Sequence, residues 1–413
     1  MAIKHTKGTK KSGAKGGTKE TTAQQAIVLH KKLQGKIRVV PAAPIKTRAD
    51  LSLVYTPGVG AVSTLIAGKK GALHAVSKQS ALAKQYTIKS RMVAVISDGT
   101  AVLGLGNIGP YGALPVMEGK VALFKTFANV DAFPIVLDIP ANTPAERRID
   151  VVVETILAIA PAFGGINLED FAAPDCFEIE ERVKAALDIP VMHDDQHGTA
   201  IVVLAALSNA AVIVKKNFKK LKVVVSGAGA AGTAITQLLL LAGVRDIIVL
   251  DSKGILSTAR PELSGYKKEL ASQTNPRGIV GGLAEALTGA DVVVGVSGPG
   301  LMTAKEVQLM AAQPIVFALA NPVPEILPDE AKKGGAAVVA TGRSDYPNQI
   351  NNSLVFPGIF RGALDRRVSK ITDKMKLTAA KNLAALVKRP TANKIIPGPF
   401  DNGVVEAVSK AVR

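Results

Sequence analysis

An unbroken apolar strand that runs into a glycine-rich turn and then a helix, LKVVVSGAGAAG at 221–232, restricts this chain more than any other stretch. Gly227, Gly229 and Gly232 stand at G-x-G-x-x-G spacing. Alone that pattern is weak; a strand before it and a helix after it give it meaning. Gly227 permits the tight turn, Gly229 with Ala230 lets a pyrophosphate approach the backbone, and Gly232 allows close helix–strand packing. The helix N-terminus then favours the phosphate charge. Asp251 ends the next strand, IIVLD, nineteen residues after Gly232. An acid there bonds a ribose 2′-hydroxyl and repels a 2′-phosphate, which favours NAD. Lys253, two positions on, leaves NADP open.

The same rhythm continues through DVVVGVSG (291–298), PIVFALANP (314–322) and AAVVATG (336–342). Near-continuous apolar strands alternating with helices imply a parallel sheet covered on both faces. The expected fold class is α/β: an N-terminal α/β substrate and metal domain at 23–197, then a Rossmann-type doubly wound parallel sheet at 198–413. Helices from about residue 362 onward are expected to pack back on the first domain. In the first domain, RMVAVISDGTAVLGLGNIG (91–109) reads as a strand, a turn at Asp98 and Gly99, a short strand and a glycine loop, with a helix starting near Pro115. GLGNIG repeats the glycine spacing but lacks a clean helix start and a downstream acid. It reads as a loop that approaches substrate.

Chemistry concentrates just before the fingerprint. In PVMHDDQHGTA, Asp194 and Asp195 stand between His193 and His197, and FGGINLED upstream supplies Glu169 and Asp170. Four carboxylates converging from two loops suit a hard divalent cation such as Mg2+ or Mn2+. The histidines invite a zinc assignment, but hard oxygen donors dominate, and His197 beside Gly198 reads as a residue that orients the loop by hydrogen bonding.

Composition narrows the class further. With 413 residues and 47% apolar content the chain can bury a sizeable core, built on aliphatic residues because aromatics are only 4%. Cys176 is the single cysteine, so no internal disulfide forms, and its apolar and acidic surroundings predict an inert thiol. The longest apolar run, TAIVVLAALSNAAVIV, is shorter than a membrane span needs and reads as a buried helix. A cytoplasmic protein is expected. Much of the N-terminal part of the +18 net charge lies in residues 1–22, where six lysines sit among Gly, Ser and Thr. Nothing aromatic accompanies them, so this tail reads as solubilising and disordered, without specific nucleic-acid binding.

Taken in order, VYTPGVG, SDGTAVLGLGNIG, EGKVALFK, LEDF, HDDQHGTA, the glycine fingerprint, FALANPVPE and NNSLVFPG resemble the malic enzyme family in its short prokaryotic form. The resemblance runs from about residue 40 to 365. It implies oxidative decarboxylation of L-malate to pyruvate and carbon dioxide, with NAD or NADP and a divalent metal, in a homodimer or higher homo-oligomer. Residue by residue, it makes Tyr55 the general acid, Lys120 the general base and Asp194 the acid that supports the base. Glu169, Asp170 and Asp195 become metal ligands, and Asn321, Asn351 and Asn352 line the substrate and nicotinamide cleft. Where large-form enzymes carry a carboxylate-binding arginine, this chain has Val102, so other groups must anchor the substrate.

A lysine that accepts a proton needs a depressed pKa, which burial and a nearby cation would provide. Without the surrounding motifs Tyr55 would read as a core or interface residue and Lys120 as a solvated helix residue. Asp98 reads as a turn residue, and Arg343 as either a salt bridge or a cofactor contact. Malolactic or oxaloacetate-decarboxylating chemistry on the same motifs is the enzymatic alternative. A nucleotide-sensing or nucleic-acid-binding protein on a retired enzyme is the non-enzymatic one, and it predicts catalytic positions that are lost, whereas Tyr55, Lys120 and the four carboxylates are present.

Overall fold

The computed structural model describes residues 21–413 except 34, 43, 44, 56, 57 and 103. The chain divides into two units, Met1–Val40 and Pro41–Arg413. In the first, α1 (Thr22–Leu33) has no buried residue; the tail up to residue 20 lies outside the described residues.

The second unit opens with α2 (Arg48–Val54), whose start is fixed by a capping box between Thr47 and Asp50. Next come α3 (Gly58–Ala67), a hairpin of β1 (Gly68–Lys69) and β2 (Ala72–Leu73), and α4 (Val76–Tyr86). Among the described residues none of these three helices contains a buried one.

A parallel sheet follows, built from β3 (Met92–Ser97), β4 (Asp131–Val136), β5 (Gly165–Leu168) and β6 (Val191–His193) in the order β4-β3-β5-β6. The connecting helices are α5 (Gly109–Ala128), α6 (Ala145–Ile159) and α7 (Asp175–Ala186). Val93, Ala94, Val95 and Ile96 of β3 are fully buried, as a strand covered on both faces requires. One expectation changes here. GLGNIG does lead into a helix start: α5 begins at Gly109, and Pro110 sits in its first turn, where the missing N–H costs nothing. Pro115 therefore lies inside the helix. The second short strand is reduced to one isolated bridge between Val102 and Gly106.

β6 ends at His193, and α8 (Asp194–Ile213) starts at once, so the two aspartates occupy a helical first turn. This is the apolar run of the sequence, and it is a core helix with Ile201 to Val203 and Ala205 to Leu207 at 0% exposure.

The second sheet comprises β7 (Lys222–Ser226), β8 (Asp246–Asp251), β9 (Gly254–Ile255), β10 (Val292–Gly295), β11 (Ile315–Ala318) and β12 (Val338–Thr341). Its order is β12-β11-β10-β7-β8-β9, parallel except for the edge strand β9. Five helices, α9 (Ala230–Leu241), α10 (Gly265–Gln273), α11 (Leu283–Leu287), α12 (Ala304–Gln308) and α13 (Pro328–Lys333), fill the connections. The chain ends with α14 (Phe356–Arg366), α15 (Asp373–Ala384) and α16 (Val404–Ser409). Helix α14 packs on α5 of the first sheet's layer. Phe356 and Phe360 of α14 meet Phe124 of α5 edge-on at 4.7 and 5.5 Å, and Arg361 donates to the Ala128 carbonyl.

Candidate active site

The carboxyl ends of β5 and β6 bring the acids together. Ligand oxygens of Glu169, Asp170 and Asp195 all lie within 4.8 Å of one another. Asp170 adopts a left-handed backbone (φ 56°) that short acids tolerate. Its N–H donates to Asp195 Oδ2 at 2.8 Å, and its carbonyl accepts from Ala101 at 2.9 Å. Three hard oxygen donors gathered in one buried corner fit a divalent cation.

Lys120 reaches this corner from α5. Its Nζ lies 2.7 Å from both Asp194 Oδ2 and Glu169 Oε1, and 4.3 Å from the centroid of the Phe356 ring. Burial works against its charge, but Asp194, Glu169 and Asp195 outweigh burial and push the ammonium above its ordinary pKa. The depressed lysine expected from sequence is thus not what this arrangement gives, because the acids that suit a cation hold the ammonium in its place. Burial raises the Asp194 carboxyl to about 6. It also pushes Glu169 well above the usual range, with the neighbouring aspartates adding to it.

Asn352 stands beside the first turn of α8, and Asn321 lies against two glycines of the neighbouring loops. A Cβ on Gly104 would strike the Asn321 carbonyl, and one on Gly342 would strike its amide nitrogen, so Asn321 lies between the GLGN loop and the end of β12. Gly198 is crowded by Asp194 on one side and Asn352, 3.1 Å from its missing Cβ, on the other. The Asn351 oxygen is taken up by the Ser353 N–H at 2.9 Å. Tyr55 is not drawn in. It caps the end of α2, is 65% exposed, and its side chain has no partner among the described residues. Thr56 and Pro57 of its motif lie outside the described residues. Val102 is buried, so it supplies no carboxylate anchor.

At the fingerprint, Gly227 has φ 124° and its missing Cβ would sit 2.6 Å from the Val296 carbonyl. Gly229 caps α9, Ala230 begins it, and a Cβ on Gly232 would collide with Gly227. A Cβ on Gly229 would meet nothing within 4 Å, which is the open face a phosphate needs. Asp251 does end β8, but it is not a free acid. Arg260 Nη1 lies 2.9 Å and Lys267 Nζ 2.7 Å from it. Partial burial opposes the shift, yet these two cations bring its carboxyl down to about 2. Its repulsion of a 2′-phosphate is therefore offset. Arg343 resolves as a salt bridge to Asp345 at 2.6 Å that also donates to the Pro322 carbonyl. Burial pushes the Cys176 thiol up to about 12, in line with an inert residue.

Sequence reasoning missed several supports. Asn167 donates to Glu169 at 2.8 Å, and Phe356 lies against Lys120. Asp98 is more than a turn residue: it bonds Thr100, whose hydroxyl holds the Ala172 N–H behind the acidic loop. Glu180 was legible in principle, since it falls on the buried stripe of α7 with Cys176, Ile179 and Val183. An acid on an apolar stripe needs a partner.

The family profile described as malic enzyme, N-terminal domain, matches residues 34–184, and that described as malic enzyme, NAD binding domain, matches 196–412. The NAD-dependent malic enzyme of Geobacillus stearothermophilus is 53% identical over 94% of this chain and 78% of its own. The bifunctional malic/malolactic enzyme of Bacillus subtilis is 51% identical over 94% and 92%. The NADP-dependent malic enzyme of Rhizobium meliloti is 45% identical, matching 95% of this chain but 51% of that longer relative. Among solved structures, the NAD-dependent malic enzyme of Thermotoga maritima superposes with a TM-score of 0.86 at 47% identity, covering 94% and 98% of the two chains. The two sheets, the acidic corner beside Lys120 and the fingerprint at β7 thus come from a chain that belongs to the malic enzyme family.

Proposed function

We propose that this chain oxidises L-malate and decarboxylates the product to pyruvate and carbon dioxide, with NAD or NADP as hydride acceptor and Mn2+ or Mg2+ at Glu169, Asp170 and Asp195. The carrying observation is the buried corner itself. Of its four carboxylates, Glu169 and Asp194 hold the Lys120 ammonium, which leaves three formal negative charges for a cation to balance. When bound, the cation acidifies the 2-hydroxyl of malate and draws electron density onto oxygen as carbon dioxide leaves, and the nicotinamide takes the hydride.

The remaining roles belong to the chain. Lys120 Nζ accepts the hydroxyl proton, and Asp194, 2.7 Å away with its carboxyl near 6, is placed to receive the proton that Nζ must first release. Tyr55 protonates the enol carbon. Asn321, Asn352 and the free amide of Asn351 orient substrate and nicotinamide. The test is an assay with L-malate, either nucleotide, and Mn2+ or a chelator. Reduced nucleotide and pyruvate should appear together, vanish with chelator and return with Mn2+. Activity indifferent to chelator would overturn the metal assignment, and lactate without reduced nucleotide would establish the malolactic reading that the Bacillus subtilis relative's name raises.

Both nucleotides fit the Asp251 corner, because the acid can meet a ribose hydroxyl while Arg260, Lys267 and Lys253 offset a phosphate. Asp251→Ala should lower KM for NADP and raise KM for NAD; an unchanged ratio would remove Asp251 from discrimination. A homodimer completes the proposal. Leu53, Tyr55, Leu65, Leu73 and Val76 are 74, 65, 47, 69 and 80% exposed along α2 to α4, an apolar surface that a second copy would cover. Light scattering should give twice the chain mass. The 23–197 and 198–413 domains would meet along α8, which runs unbroken across that boundary. Cytoplasmic placement rests on Cys176, a buried unpaired thiol.

A further inference from the structure

The two histidines flanking Asp194 and Asp195 take no part in the chemistry above, yet one buried carboxylate holds the stretch at both ends. Glu180 of α7 is only 5% exposed. Its Oε1 accepts the backbone N–H of His193 at 2.8 Å and lies 2.6 Å from Lys184 Nζ. Its Oε2 lies 2.9 Å from His197 Nε2. An ionised carboxylate only accepts, so the imidazole must present Nε2–H to it. The run His193 to His197 is therefore tied at its first residue through the main chain and at its last through a side chain, with both aspartates in between.

Two further features show what that tie controls. The His193 ring is fully buried with neither nitrogen hydrogen-bonded among the described residues, and its Nδ1 stands 3.9 Å from Asp195 Oδ2, just beyond hydrogen-bond range. Where the His193 backbone is held decides whether that gap can close. On its other side His197 borders a cavity of about 650 Å³ lined also by Gln237, Arg245 and Lys376, so an untethered ring has room to turn away.

We propose that Glu180 is a positioning residue for the metal ligand Asp195, setting the first turn of α8 through the His193 amide and the His197 imidazole and holding the His193 ring ready to bond Asp195. This rests on the reading of Glu169, Asp170 and Asp195 as the cation site. Groups that orient a ligand in this way change metal affinity by about 10- to 100-fold when removed.

The test measures Mn2+ binding without malate, from the electron paramagnetic resonance of free Mn2+, and NAD binding by calorimetry. Glu180→Ala should raise the Mn2+ Kd by about 10- to 100-fold and leave the NAD Kd unchanged. His197→Phe and Glu180→Gln should each cause part of that loss, since each keeps the tie at His193. Asp195→Asn is the reference. If it leaves Mn2+ affinity unaltered, the cation assignment falls and this inference with it. If it weakens Mn2+ while the Glu180 and His197 variants bind as tightly as the parent, only the positioning role falls. Should Glu180→Ala fail to fold, Glu180→Gln and His197→Phe decide the matter alone. Loss of thermal stability with unchanged Mn2+ affinity would mark Glu180 as structural and overturn the proposal.

Discussion

The residues proposed as base and acid sit in opposite kinds of surroundings. Lys120 stands on a 20-residue helix packed on a parallel sheet, 8% exposed, with two ion pairs and an aromatic ring against it. Tyr55 ends a seven-residue helix with no buried residue and points its ring mostly into open space. A single chain therefore holds one half of the proposed proton machinery rigid and leaves the other on short helices with uncovered apolar faces. The acidic corner around Lys120 owes its geometry to core packing. The proposed acid stands beside helices whose apolar faces this chain leaves exposed, so whether catalysis follows assembly can be tested.

The largest effect should come from Lys120→Ala. Losing a general base costs about 10²- to 10⁴-fold in rate, and it strands Asp194 and Glu169 as buried unpaired acids. Removing one partner of such a buried pair costs about 3–5 kcal/mol. Turnover and a chemical denaturation midpoint should thus fall together, while NAD affinity, set at the far sheet, holds. An unchanged midpoint would mean that the cluster is less buried in solution than the structure shows. Tyr55→Phe should act on one of these only. Pyruvate formation should drop by about 10²-fold, with stability within about 0.5 kcal/mol of the parent, as for an exposed side chain without partners. A stability loss like that of Lys120→Ala would erase the contrast.

The middle-sized effect tests what covers the apolar helices. Leu53→Ser, on a residue 74% exposed in the single chain, should cost the monomer little but weaken association. Gel filtration at falling concentration should show the variant dissociating before the parent, with specific activity dropping in step. Activity that stays constant as the particles separate would place Tyr55 within its own chain's site.

How far the sequence could be read follows the same division. The nucleotide sheet was legible because its determinants are local: an apolar strand, a glycine that must take φ 124°, and a helix start. The acids were legible because hard donors cluster in two short stretches. The state of Asp251 was not, since Arg260 and Lys267 come from nine and sixteen residues further on and meet it only after the chain folds through β9 and α10. Nor was the protonation of Lys120, since its partners lie on other elements and reverse what burial alone would do. The sequence places the start of this helix near Pro115, whereas it begins at Gly109: Pro110 sits in the first turn, where proline suits a helix, and Pro115 is held inside a packed one.

Cys176 offers the smallest and most local test of the buried side. It lies on α7 beside the stripe that carries Glu180, at 0% exposure, and burial raises its thiol from 9.0 to about 12. For an acid whose folded pKa exceeds its unfolded one, the contribution to stability is complete below the unfolded value and is lost as pH rises from 9.0 towards 12. Near neutral pH the folded thiol therefore carries about a thousandth of the thiolate of an unfolded one, and thiolate is the reactive form. Iodoacetamide should leave Cys176 unmodified in the native protein and label it rapidly once denaturant unfolds α7. Native labelling within about tenfold of the unfolded rate would show the helix that carries Glu180 opening on its own. In that case the corner around Lys120 would be no better held than the segment around Tyr55.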